Sequence, residues 1–411
     1  MKRYISLLII ISSLLGLTGC GGIHTNYREI QQLLVVQTLG LDREEGSVRI
    51  SMAAAAKASG AGPRRMSASG GTVSTAIDRA YDLSYEEDIF FSHVNHILVG
   101  QDAAEDMDVF LDYLCQSPEL CIDIPLYVVR EGTAEQAVME VGDGSRGISE
   151  VMQAVRESFA TPSDSKVFTV ADTISSLGRY GSALVCAIRC EPGSESSGSQ
   201  EAGGTQDGAK GKGQEEEQSS EPAAGEGRGS GAEGSTMAGI AGYAVIREGQ
   251  LCKYLEPELA VAVGLMTGSV PISFIGVEDM DGRPCSLEVY QGSARLSPLW
   301  GGPGELKGLD IQAEVTASVM ESGSSGAAGA EEYVNYLTGR LEAAVSEQLS
   351  SLLQSSMELK ADFLGLAGRV ERSSPENYRL MEQDFTEVLP SLELQISVSG
   401  RLSHTNDMKE A

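Results

Sequence analysis

Residues 309–320 read LDIQAEVTASVM, and residues 331–359 read EEYVNYLTGRLEAAVSEQLSSLLQSSMEL. In the first stretch apolar side chains alternate with polar ones, the period of a β-strand with one buried and one wet face. In the second, apolar residues step by three and four from Val334 to Leu352, as on one face of a helix. A coiled-coil seam would show a similar stripe. We favour a long helix packed on a sheet, because the neighbouring strands need a cover.

The rest of the C-terminal half shows further strands and helices. A hairpin is indicated by two apolar runs around Glu248-Gly249, and Pro257 suits the first turn of a short helix. The predicted strands are residues 239–247, 251–255, 286–296 and 392–402, and the predicted helices are residues 257–266 and 375–389.

The N-terminal half mixes short strands with amphipathic helices. Strands are predicted at residues 33–42, 48–54, 90–99, 126–129 and 182–190, and helices at residues 72–85, 103–115, 133–141, 147–159 and 169–177. Residues 42–46 supply turn chemistry, and Thr133 is expected to cap the helix at residues 133–141. The predicted fold class is therefore α+β: multi-domain mixed sheets with helices packed on them, with the long helix of the C-terminal half against an antiparallel sheet.

Residues 191–239 divide the two halves. They are almost wholly Gly, Ser, Glu, Gln and Ala, and residues 191–236 hold ten acidic and three basic residues. Such a composition cannot bury enough apolar surface to offset its ordering entropy, which predicts a disordered linker or insert. The predicted organisation is a signal peptide (1–19), an N-terminal α/β domain (20–190), the acidic linker (191–238) and a C-terminal α/β region (239–411). That region divides into a middle domain (about 239–300) and a C-terminal domain (about 301–403).

The N-terminus predicts an export signal and a lipid anchor. Lys2 and Arg3 precede an apolar stretch of about a dozen residues, too short for a comfortable bilayer span. The run LTGC ends at Cys20, the bacterial lipoprotein pattern, so cleavage is expected between Gly19 and Cys20 and a diacylglyceryl lipid on the Cys20 thiol. The alternative is an ordinary secreted protein with a cysteine at that position.

Charge and cysteine content narrow the class further. The net charge of −29 over 411 residues disfavours nucleic-acid binding and electrostatic adhesion to anionic lipid, so the acyl chains must hold the protein to the membrane. Six of the seven cysteines follow Cys20. Cys115 with Cys121 is one conceivable disulfide. Cys186 and Cys190 lie too far apart on an extended strand to bridge, and most of the six are expected to be small buried residues.

Candidate catalytic chemistry is sparse. His93 and His96, placed in one predicted strand, would point to opposite faces and could not share a metal. Residues 105–108 (EDMD) are expected to open a helix, and residues 279–282 (DMDG) to form a turn. No nucleophile elbow, phosphate loop, zinc-protease helix or dinucleotide fingerprint occurs. No catalytic, cofactor-binding or metal-ligating residue is predicted, and an envelope enzyme is the weakest hypothesis.

Several segments together resemble one family. They are REI at residues 28–30 followed by residues 33–42, GYAVIREGQL at residues 242–251, ELKADFLGL at residues 358–366, and residues 375–385 with the strand 392–401. Their order and spacing resemble the C-subunit lipoproteins of bacterial spore germination receptors, the Ger(x)C family. The stretch KADFLG at residues 360–365 is the most specific.

The resemblance implies a nonenzymatic receptor subunit on the outer face of the inner spore membrane (the cell membrane during export). Its partners would be an integral membrane A subunit and a transporter-like B subunit, and the family fold has three domains, the middle one partly formed from the C-terminal half. Only Cys20 carries over as a defined functional site, with no cofactor beyond the covalent lipid. The alternative is a solute-binding lipoprotein of a transporter, which the long antiparallel-looking strands disfavour because such proteins pair two α/β lobes across a cleft.

Overall fold

The computed structural model describes residues 33–55, 64–85, 87–142, 147–159, 167–192, 236–321 and 331–403. Its first sheet contains β1 (Leu33–Glu44), β2 (Ser47–Ala54), β3 (Arg64–Gly70), β4 (Asp88–Phe90), β5 (His96–Val99), β6 (Leu126–Val129), β7 (Ser182–Pro192), β8 (Thr236–Arg247) and β9 (Gln250–Leu255). Their spatial order is β3-β2-β1-β5-β6-β7-β8-β9, with β4 paired to the start of β1. The pairs β1–β4, β1–β5, β5–β6 and β6–β7 are parallel, and the remaining pairs are antiparallel.

Six helices of the N-terminal half accompany this sheet in the described part of the chain. They are α1 (Val73–Leu83), α2 (Gln101–Ala104), α3 (Met107–Gln116), α4 (Ala134–Glu140), α5 (Ile148–Phe159) and α6 (Val170–Tyr180). Side chains of α1, α2 and α3 share one apolar core with one face of the sheet. Side chains of α4 and α5 belong to a second core on the opposite face. All four residues of β6 are buried, as expected of a parallel strand covered on both faces.

The second sheet contains β10 (Ser273–Glu278), β11 (Pro284–Gly302), β12 (Glu305–Glu321) and β13 (Glu393–Ser403), in that spatial order. Its first three strands are antiparallel, and β13 runs parallel to β12. The remaining helices described are α7 (Ala260–Thr267), α8 (Glu331–Leu359), α9 (Leu366–Ser373), α10 (Pro375–Arg379) and α11 (Phe385–Val388). The α+β class is confirmed, and the parallel last pair makes this sheet mixed rather than wholly antiparallel.

The long helix α8 has the predicted bounds, and it packs on the second sheet. Its buried residues include Leu337, Leu341, Val345 and Leu349, which share a core with the alternate residues of β12 from Leu309 to Ala317. The other side chains of β12 and β13 are mostly exposed or half-buried, so the predicted wet face is present.

Local signals in the sequence also place several ends correctly. Thr133 Oγ1 accepts a hydrogen bond of 3.1 Å from the Gln136 amide and caps α4 as predicted. The hairpin β8–β9 turns at Glu248 and Gly249, both with positive φ, which suits the right-handed twist of the strands.

The predicted single strand at residues 90–99 is wrong. Val35 pairs with Phe90 and Thr38 pairs with His96. Between these two pairs lie five residues of this segment (91–95) but only two residues of β1 (36–37). The three extra residues cannot stay in a continuous strand. They form a turn in which the Val94 amide donates to the Phe91 carbonyl.

The predicted helices at residues 103–115 and 375–389 are each interrupted. The first divides into α2 and α3, because Asp106 has a non-helical backbone and the Met107 amide donates to the Gly249 carbonyl. The second divides into α10, α11 and a short 3-10 turn (Leu389–Ser391). The strands β3 and β10 and the helix α9 were not predicted.

The strands that flank the acidic segment belong to one sheet. Pro192 at the end of β7 pairs with Thr236 at the start of β8, so the expected linker ends at 191 and 238 fall inside paired strands. Residues 193–235 lie outside the described residues. Strands β8 and β9, from the C-terminal half, complete the first sheet.

Candidate functional site

The predicted lipidation site does not fall within the described residues. Gly19 and Cys20 both precede Leu33, the first residue of β1, so cleavage and lipidation there stay predictions. The segments that carry the family resemblance are largely described, and two of them contain a buried aspartate.

Asp42, at the end of the first segment, joins β1 to α4. Its Oδ1 accepts a hydrogen bond from the Ala134 amide and its Oδ2 from the Glu135 amide, each at 2.7 Å. With Thr133 on the Gln136 amide, the free N–H groups of the first helical turn gain acceptors. The sequence predicted a turn within residues 42–46, and the turn lies at Glu45 and Gly46, while Asp42 itself still belongs to β1.

Asp362, in the KADFLG segment, performs the same task for α9. Its Oδ1 accepts from the Leu366 amide at 2.6 Å and its Oδ2 from the Ala367 amide at 2.8 Å. Just before it, Lys360 adopts a left-handed conformation (φ 49°) that ends α8. The segment thus stops one helix and starts the next. An aspartate a few residues before an amphipathic run is a signal that could have predicted this cap.

Burial changes the acidity of both aspartates. It raises the pKa of Asp42 to about 6 and that of Asp362 to about 7, against the opposing effect of the backbone hydrogen bonds that favour the ionised form. The ionised side chains are well matched to helix N-termini, where the helix dipole and free amides favour negative charge.

The KADFLG segment also lies at the junction between the first sheet and the C-terminal half. Arg247 of β8 donates to the Leu359 carbonyl at 2.8 Å, and Lys253 of β9 donates to Ser355 Oγ at 3.1 Å. On α9, a Cβ added to Gly368 would come within 2.4 Å of the Tyr180 hydroxyl oxygen, which belongs to α6. One continuous apolar core spans this junction. The two sheets are therefore packed together rather than separated by a cleft.

The two histidines do not form a metal site. His93 is exposed in the turn between β4 and β5, while His96 is buried in β5, with its ring centroid 6.1 Å from that of Tyr127. Burial, with a smaller effect from the Arg156 charge, lowers the pKa of His96 to about 4, so the imidazole is neutral. The described residues contain no group of three or more His, Cys, Asp or Glu side chains that could hold a metal ion.

A charged groove lies beside β7 and the first half of β8 in the first sheet. Arg130 makes a bidentate ion pair with Glu256, with N–O distances of 3.0 and 2.9 Å, and its guanidinium stacks over the Tyr254 ring at 5.0 Å. This hydrogen bonding lowers the pKa of Glu256. A groove of ≈ 340 Å³ lies beside the pair, with Arg189 and Met237 also in its walls. The paired charges orient one another and leave no isolated acid or base.

The cysteines differ from expectation. Cys186 and Cys285 are buried, and burial raises the pKa of Cys186 to about 12, so its thiol stays protonated. Cys115, Cys121 and Cys252 are exposed, so the expectation that most are buried is wrong. All six described cysteines are unpaired, including Cys115 and Cys121. The turn predicted at residues 279–282 is confirmed, since Asp279 Oδ1 accepts from the amides of Asp281 and Arg283.

Among the helices in the described ranges, none has the length and apolarity needed to cross a membrane.

Comparisons with known proteins agree over both halves of the chain. Residues 26–154 match a family described as the spore germination protein N-terminal domain, and residues 241–406 match one described as spore germination B3/GerAC like, C-terminal. A solved structure titled "Crystal Structure of the GerBC protein" is similar in fold, with a TM-score of 0.51 and 13% identity, covering 89% of this chain and 96% of that one. None of the curated proteins matches.

Proposed function

We propose a function for this chain from its family: it belongs to the Ger(x)C family of spore germination proteins. The proposed role is that of the lipid-anchored C subunit of a nutrient germinant receptor, which acts without catalysis through contacts with the integral membrane A subunit and the transporter-like B subunit. The observation that carries the proposal is the match of both halves, in order, to the two family domains.

The anchor is proposed at Cys20, on the outer face of the inner spore membrane. Two acyl chains bind a bilayer stably, at roughly 0.8 kcal/mol per buried methylene, whereas one chain binds only marginally. An acidic chain gains little from anionic lipid, so the lipid would supply the affinity.

Replacement of the anchor tests this proposal. Cys20→Ala is expected to release the protein from spore membranes and to slow nutrient-triggered germination. The matched control is Cys115→Ala, which removes an exposed thiol and should leave both properties unchanged. Full membrane retention of Cys20→Ala would refute lipid anchoring at this residue.

Co-purification tests the receptor role. Mild detergent extraction of spore membranes, with capture through a tag on this chain, is expected to recover a multi-pass permease-like partner. The solute-binding alternative predicts instead that the chain alone binds an amino acid or sugar with micromolar affinity in calorimetry. The continuous core between the two sheets supports the receptor proposal, because a hinged cleft would interrupt it.

A further inference from the structure

We propose that the first sheet rests on the membrane through the side at which β1 begins, where several strand ends meet. In this orientation Tyr85 and Leu83 contact lipid in the interfacial layer. This inference rests on the proposed lipid anchor at Cys20. It adds which surface of the folded chain faces the bilayer, and through which side chains.

The covalent distance from the anchor limits where the protein can sit. Leu33, where the described chain begins, follows Cys20 by 13 residues. A fully extended chain spans at most ~3.3–3.6 Å per residue, so the first residue of β1 lies within about 45 Å of the lipidated thiol. The tether therefore sets an upper limit on the distance between Leu33 and the membrane.

Strand register determines what else lies at this side. Leu33 pairs with Asp88, the first residue of β4, and Ala54 at the end of β2 pairs with Arg64 at the start of β3. Since α1 connects the far end of β3 back to β4, its C-terminus returns to the same side as Leu33. The turn that follows α1 contains Tyr85.

The side chains at this turn are unusually open for their type. Tyr85 is 91% exposed and Leu83 is 49% exposed, although Tyr81 one turn earlier is half-buried and donates to the Ile89 carbonyl. A tyrosine ring with a polar tip favours the membrane–water interface, where the ring meets acyl chains and the hydroxyl stays hydrated.

The sequence around Tyr85 is acidic, with Asp82 exposed beside Leu83 and Asp88 at the start of β4. Arg64 forms an ion pair with Glu87, beside the turn, so this cation is neutralised locally. The chain as a whole carries a net charge of −29, which opposes attraction to anionic headgroups. The contact should therefore depend on the ring and on Leu83 rather than on lipid charge.

The single tryptophan of the chain makes a direct test available. In a Trp300→Phe background, Tyr85→Trp places a fluorescent probe at the proposed contact, and Phe274→Trp places one on β10 of the second sheet. Phe274 is 65% exposed and serves as the matched control. The lipidated proteins are reconstituted into phosphatidylcholine vesicles with brominated acyl chains, which quench tryptophan on contact, and flotation measures anchoring in the same samples.

The expected result is flotation of both proteins, with the Tyr85→Trp probe quenched severalfold more than the Phe274→Trp probe. Added anionic lipid should not increase the quenching. Flotation without quenching at residue 85, or stronger quenching at residue 274, would overturn the orientation while the anchor stands. Failure of the lipidated protein to float would overturn the anchor itself. Protection of residue 85 only after addition of the membrane subunits would overturn the lipid contact in favour of a protein contact.

Discussion

The two sheets differ in how they are covered. The first is packed on both faces, and its central strand β6 is buried throughout. The second is packed on one face only, and the exposed residues of β13 alternate with half-buried ones along its length. The difference indicates that the first sheet forms the rigid interior of the molecule, whereas the second depends mainly on α8 for its apolar cover.

The two buried aspartates differ in how far along the chain their hydrogen-bond partners lie. Asp42 caps a helix 92 residues further along the chain, and so ties β1 to α4. Asp362 caps a helix that begins four residues later. The Asp42 cap therefore depends on the long-range assembly of the first sheet. The Asp362 cap depends only on the local break between α8 and α9.

The largest expected effect is loss of the α8 contact with the second sheet. Leu341 is fully buried on α8, and Leu341→Ala should lower the free energy of unfolding by about 2–5 kcal/mol, because it removes apolar burial and leaves a cavity. Urea denaturation measures this effect. Gln395→Ala, on the exposed face of β13, is the control and should change stability by less than about 0.5 kcal/mol. A cost below about 1 kcal/mol at Leu341 would mean that the second sheet has another major support.

Removal of either aspartate cap should cost somewhat less. Asp42→Ala and Asp362→Ala each leave two helix N–H groups without their acceptors, and each is expected to destabilise by about 1–3 kcal/mol. Hydrogen exchange separates the two sites. Asp42→Ala should expose amides of α4 and the neighbouring end of β1, whereas Asp362→Ala should expose only the first turn of α9 and its surroundings. Identical exchange patterns would contradict the distinction between long-range and local caps.

The raised pKa of Asp362 predicts a pH effect of definite sign. The folded chain holds the Asp362 proton more tightly than the unfolded chain, so this group favours folding most at acidic pH, and that advantage is lost as pH rises from about 4 to about 7. Asp362→Asn cannot titrate. The stability of the wild type relative to this variant should therefore fall across that window in urea titrations. A difference that stays constant with pH would contradict the raised pKa.

At the junction between α6 and α9, the effect of Gly368→Ala on stability should change sign when Tyr180 is replaced. Gly368→Ala should destabilise by about 1–3 kcal/mol, because the new methyl group collides with the Tyr180 hydroxyl. With Tyr180→Phe the hydroxyl is gone, and the nearest ring carbon would lie at 3.4 Å, an ordinary contact. In that background Gly368→Ala should be neutral or stabilising, since alanine favours a helix over glycine by about 1 kcal/mol. Thermal unfolding of the four proteins measures the coupling, and an equal cost in both backgrounds would argue against this packing.

The smallest effect is expected from deletion of residues 194–234 with a short turn in their place. Because Pro192 and Thr236 are paired neighbours, the two strand ends already lie at hairpin distance. The free energy of unfolding should stay nearly unchanged. A cooperative loss of stability would show that the acidic segment contributes to the fold.

Sequence reasoning was most reliable where a signal is local and long. The period of α8, the Thr133 cap and the Glu248-Gly249 turn each depend on neighbouring residues, and each was predicted. The break between β4 and β5 was not, because it follows from the register against β1. The short strand β10 was missed because only two of its six residues are buried, which leaves a weak apolar pattern.

The sequence by itself determined the α+β class, the long helix, the family resemblance and the expectation of a lipid anchor, because these depend on periodicity, composition and local motifs. Only the tertiary structure decided that β7 and β8 form one sheet across the acidic segment and that Asp42 caps α4. It alone placed the turn after α1 at the side where β1 begins. The physical reason is the same in each case: pairing and capping partners far apart in the chain are selected by geometry and burial, which no local pattern records.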